Sequence, residues 1–72
     1  MTKVAVVFAD GFEEIEALSP VDVFRRAGFD CNMLGLENAS VTGSHGIQVA
    51  MDGVFDGDFA DCDLVVLPGG MP

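Results

Sequence analysis

Lys3-Val4-Ala5-Val6-Val7-Phe8-Ala9, followed at once by Asp10-Gly11, decides the fold. The apolar character is continuous and β-branched rather than alternating. That predicts a strand covered on both faces, as in a parallel sheet, and Asp10-Gly11 ends it as a turn. Phe12, Ile15, Leu18, Val21, Phe24 and Ala27 then recur at one-turn spacing, which predicts a helix over Glu13–Ala27. Glu13, Glu14 and Glu16 crowd its first turn, Arg25-Arg26 its last, and Gly28 stops it. Ser19-Pro20-Val21-Asp22 carries its own start signal inside that stretch. The segment is therefore a kinked helix or two short ones, and the unbroken apolar phase favours the kink.

Asp30–Leu36 is a second strand, so strand, helix and strand form a right-handed βαβ unit. Val41-Thr42, Gly43-Ser44-His45-Gly46 and Ile47–Met51 predict a small β-hairpin with a glycine-bounded tip. Gly53–Asp63 is an acidic loop with one helical turn around Phe59. Leu64–Leu67 is another buried parallel strand, broken by Pro68-Gly69-Gly70. The fold class is α/β, on a parallel sheet: a βαβ unit, a small β-hairpin and a further buried strand. Three buried strands require helices on both faces, yet only one substantial helix is encoded. Residues 1–72 are therefore expected to be part of one domain, completed by further chain.

Three basic residues against twelve acidic ones give a net charge of −9, a field that repels nucleic acid. No apolar run approaches the ~20 residues of a membrane span, and the N-terminus does not resemble a secretory signal. The expected setting is the cytoplasm. Asp52, Asp56, Asp58, Asp61 and Asp63 lack calcium-loop spacing and are read as a solvated acidic connector. Cys31 and Cys62 fit neither a zinc pattern nor a redox motif, and both are read as small core hydrophobes. No metal or cofactor motif is present.

Ligands of open parallel sheets bind outside the carboxyl ends of the strands. Asp10–Glu16 and Pro68–Pro72 lie there and should converge on one crevice. Gly69 and Gly70 leave backbone N–H groups unshielded, as an oxyanion nest or as a plain strand-ending turn. Glu13 and Glu14 are read as compensating the helix dipole. Glu16, at the edge of the apolar stripe, has two readings: the same compensation, or a partly desolvated general acid/base. His45, the only histidine, is read as an exposed turn residue.

Ala9–Ala17, Pro20–Gly28 and Asp63–Gly70 together resemble the ThiJ/PfpI family, which includes the deglycase linked to Parkinson disease. The helix start with its Glu-Glu-x-Glu and the Val-Leu-Pro-Gly-Gly stretch carry the likeness jointly. The resemblance implies a cofactor-free, cysteine-dependent glyoxalase or deglycase acting on small reactive carbonyls or their adducts. In it Glu16 hydrogen-bonds the reactive cysteine, and Gly69 and Gly70 supply backbone amides. It also implies a flavodoxin-like three-layer sandwich, of which this chain would be the N-terminal half, and a homodimer. Redox-sensing, chaperone and peptidase roles occur among such proteins as well. Neither Cys31 nor Cys62 matches the family's nucleophile, which would lie beyond Pro72, so the chain alone is expected to be inert.

Overall fold

The computed structural model describes residues 2–68 of the chain. Its elements are β1 (Lys3–Phe8), α1 (Glu14–Arg26), β2 (Asp30–Gly35), β3 (Ser40–Thr42), β4 (Gln48–Ala50), β5 (Gly53–Val54) and β6 (Leu64–Val66). Four strands form a parallel sheet in the order β5-β2-β1-β6, and β3 and β4 pair as an antiparallel hairpin. The expected α/β class and parallel sheet are both present.

The uninterrupted apolar run of β1 fits its central place. Val4, Val6 and Phe8 join Phe12, Ala17, Val21, Cys31 and Val41 in one buried cluster under α1. Ala5 and Val7, on the alternate face, are buried as well. There the segment after β5 stands in for a second helical layer: Ala5, Asn32 and Leu34 share a hollow with Val54, Asp56, Asp58 and Cys62. Phe12 turns back onto Phe8 edge-to-face, with ring centroids 4.9 Å apart, and so sets where α1 begins.

Helix α1 is a single uninterrupted helix, with Pro20 inside it rather than between two helices. Proline has no N–H, so the carbonyl of Glu16 loses its usual helical donor. The apolar stripe through Ala17 and Val21 holds the helix on the sheet across that gap.

The acidic connector differs from the sequence reading in two ways. Gly53–Val54 pairs with Leu34–Gly35 as an extra parallel strand, too short to leave a periodic signature. Around Phe59 there is only a hydrogen-bonded turn, Cys62 N–H to Phe59 C=O at 2.9 Å, and no helix. Four of its five aspartates are also engaged rather than merely solvated. Asp52 Oδ2 accepts from the Met33 N–H and from Arg25, each at 2.7 Å. Asp63 accepts from the Lys3 N–H at 2.8 Å, while Asp56 and Asp58 cap the turns that follow them.

Gly35, at the end of β2, permits the closest approach in the sheet. A Cβ there would fall 1.7 Å from the carbonyl oxygen of Asn38, and backbone cannot step aside cheaply. Gly35→Ala should lower unfolding stability by about 3 kcal/mol, at the upper end of overpacking costs. Urea denaturation of the full chain measures this; a loss within ~0.5 kcal/mol would mean that the turn after β2 can shift freely.

Candidate functional site

Because β6 lies beside β1 in parallel register, with Val6 opposite Val66, the carboxyl ends of both strands open at the same edge of the sheet. That is where the strand order reverses, the usual ligand-binding position in such sheets. The β1–α1 connection lies there, as does Pro68. Gly69 and Gly70 fall outside the described residues.

The hairpin is fastened along that connection by a ladder of hydrogen bonds. Gly11 N–H donates to Thr42 C=O (2.8 Å), Thr42 N–H to Asp10 Oδ1 (3.1 Å) and Ser44 N–H to Phe12 C=O (2.8 Å). The last rung is a side chain. His45 N–H donates to Glu14 Oε2 at 2.8 Å, and His45 Nδ1 lies 2.9 Å from Glu14 Oε1. Ser44 Oγ reaches Glu13 Oε1 at 3.2 Å and Glu14 Oε1 at 3.3 Å.

Glu14 is 6% exposed and is the only buried charged residue among the described residues. The hydrogen bond from His45 lowers its carboxyl from the usual 4.5 to about 2, outweighing the upward push of burial. In return, that hydrogen bond and the charges of Glu14 and Glu13 raise the His45 imidazole above its usual 6.5. Gly43 makes room for the pair: a Cβ at this position would lie 2.4 Å from Glu14 Oε2.

The three glutamates of the first turn thus divide differently from the sequence reading. Glu14, read as dipole compensation, is a buried structural anion. His45, read as an exposed turn residue, does expose its ring but spends both its backbone N–H and its Nδ1 on Glu14. Glu16 is exposed and, among the described residues, its carboxylate makes no hydrogen bond or ion pair. The Glu14–His45 pair spans 31 positions, beyond any spacing motif. The one local hint was a glycine directly before Ser44-His45, the kind of residue a close approach demands.

Ser44, His45 and Glu14 do not form a hydrolytic relay. Such a relay presents one ring nitrogen to the nucleophile and the other to the acid. Here Ser44 Oγ (3.1 Å) and Glu14 Oε1 (2.9 Å) face the same Nδ1. Beside the cluster, Glu13, Glu14, Ile15, His45 and Ile47 line a hollow of about 260 Å³, with Ile15 80% exposed at its rim.

A parallel α/β sheet with its charged helix start at the strand-order switch defines a flavodoxin-like domain, and the relatives narrow the class. The model of the DJ-1/PfpI family matches residues 2–72, and the chain belongs to that family. It is 41% identical over 70 residues to YraA of Bacillus subtilis, whose name carries a provisional assignment as a cysteine protease; the match covers 94% of this chain and 41% of that protein. An oxidized DJ-1 of Toxoplasma gondii superposes with a TM-score of 0.93 at 36% identity, covering 100% of this chain and 40% of that one. A mutant DJ-1 superfamily protein of Salmonella typhimurium gives a TM-score of 0.89 at 42% identity, covering 97% of this chain and 39% of that one. The chain thus spans about two-fifths of the length of the relatives it matches. No helix among the described residues is long and apolar enough to cross a membrane.

The Glu14–His45 pair has a pH signature. Below about 4.5 the unfolded Glu14 takes up a proton before the folded one, so the pair's stabilisation fades as pH falls toward 2. Above 6.5 the unfolded His45 loses its proton first, so the stabilisation fades as pH rises through the raised folded value. In chelator-containing buffer, the difference in urea midpoint between wild type and His45→Gln should be largest between pH 4.5 and 6.5 and shrink on both sides. A difference that stays flat over that range and beyond would show that the two groups are not coupled.

Proposed function

We propose that this chain supplies the N-terminal part of a single DJ-1/PfpI-type domain that is a cysteine-dependent enzyme acting on small reactive carbonyls or their adducts. Glyoxalase- and deglycase-like chemistry fit this reading. Glu16 is the general acid/base, and the backbone N–H groups of Gly69 and Gly70 stabilise developing negative charge. The nucleophilic cysteine comes from chain beyond Pro72. The completed protein is a homodimer in the cytoplasm and uses no cofactor.

The observation that carries this reading is how the first-turn carboxylates are divided. Glu13 and Glu14 are committed to the hairpin tip through Ser44 and His45. Glu16, in the first turn of α1 at the strand-order switch, is the one of these three glutamates whose carboxylate is left uncommitted among the described residues. A thiol presented from a neighbouring element would find in it a proton donor and acceptor. Neither Cys31, buried in the core with its thiol pKa raised by burial, nor Cys62, on the opposite face, can take the nucleophile's part.

Redox sensing is the second reading, favoured by the oxidized state named for the Toxoplasma relative. There Glu16 would hold a sulfinate formed on the same cysteine. Methylglyoxal turnover by the full-length protein separates the two. Glu16→Gln and Glu16→Ala should each lower kcat/KM by about 100-fold or more. Equal turnover by all three proteins would remove Glu16 from the chemistry. Absent turnover in wild type, with ready oxidation of the thiol, would favour the sensor.

A further inference from the structure

Four polar atoms converge where the hairpin tip meets the start of α1. Ser44 Oγ lies 3.2 Å from Glu13 Oε1, 3.3 Å from Glu14 Oε1 and 3.1 Å from His45 Nδ1. The ligating atoms of Glu13, Glu14 and His45 all fall within 4.8 Å of one another. Backbone N–H groups, that of His45 among them, serve Glu14, but on the side facing Ser44 the only donors are side chains. A serine hydroxyl carries one proton and an imidazole Nδ1 at most one, yet two carboxylates compete for them.

Among the described residues, no lysine or arginine reaches this place. Arg25 is paired with Asp52 and Arg26 with Asp22, and Lys3 stands at the amino end of β1, the opposite end of the strand from the cluster. Two carboxylates share one small volume, and a protonated His45 can offset only one of them, whereas a divalent cation would neutralise both.

We propose that Glu13, Glu14 and His45 form a binding site for a divalent transition-metal ion of the zinc class, with Ser44 Oγ or water completing the coordination. An imidazole and two carboxylates form a mixed nitrogen–oxygen donor set, which suits Zn²⁺ and its neighbours better than Mg²⁺ or Ca²⁺. The His45 N–H bond to Glu14 Oε2 fixes that carboxylate so that Oε1 faces the imidazole, as an outer-shell donor does in established metal sites. Bond lengths of about 2.0–2.2 Å put tetrahedral ligand atoms about 3.3–3.6 Å apart. The Glu14–His45 separation of 2.9 Å needs only to open slightly, whereas the half-buried Glu13 side chain, whose ligating atom lies within 4.8 Å of the other two, must draw in. The helix dipole opposes a cation here, but its roughly half a positive charge is outweighed by two full carboxylates. The bound ion would rivet the hairpin to the helix, replacing the proton shared by Glu14 and His45. This site is independent of the carbonyl chemistry proposed for Glu16.

Calorimetric titration of the metal-free full chain with Zn²⁺, and a parallel titration with Co²⁺ followed by its visible absorption, test the proposal. The expected result is one ion per chain, not displaced by excess Mg²⁺. Glu13→Gln and His45→Ala should each weaken it about tenfold or more; both side chains are at least partly exposed, so these variants should keep the fold. Absence of saturable binding, or wild-type affinity in both variants, would overturn the assignment, the latter by placing the ion elsewhere.

Discussion

The carboxylate of Glu14 stands between the first turn of α1 and the tip of the β3–β4 hairpin, almost wholly removed from water, and remains ionised there. A buried charge is tolerated only when its hydrogen bonds are made within the protein. Here they come from the backbone and the ring of His45 and from Ser44. Gly43 must lack a side chain for the same reason, since any Cβ would occupy the carboxylate's space. The hairpin, which pairs with no strand of the main sheet, thereby acquires a fixed seat beside the β1–α1 connection.

That seat has a functional consequence through the helix it anchors. Pro20 leaves the carbonyl of Glu16 without a helical donor, so the first turn of α1 is weakened from within. Fastening Glu13 and Glu14 to the hairpin offsets this from outside and fixes the orientation of the turn. Glu16 is left projecting from a braced element at the edge where β1 and β6 end. The acid/base role proposed for Glu16 would benefit from that arrangement, since a rigid mounting preserves geometry better than a free loop.

The sheet was legible in the sequence where its signals were local. The unbroken run Val4–Phe8 announced a strand buried on both faces, and the glycine-bounded tip at Gly43–Gly46 announced the hairpin. Strand β5 was hidden because two residues carry no period, and it is held by pairing with Leu34 and Gly35 rather than by its own pattern. The turns at Asp56 and Asp58 looked like solvated acidity because an aspartate that caps a turn has the same composition as one that does not. In the candidate site, Glu14 was misread for a general reason. Acidic residues at a helix start are ordinarily explained by the dipole, and nothing nearby in sequence reveals that a histidine 31 positions on will close over one of them.

The account depends on Glu14 being an ionised, hydrogen-bonded anion in the folded protein. Carbon-13 NMR titration of its side-chain carboxyl, in metal-free solution, observes that state directly. The predicted midpoint lies near 2, well below that of an unperturbed glutamate. A midpoint at 4.5 or higher would contradict the account, because the carboxylate would then be either free in solvent or buried as the neutral acid.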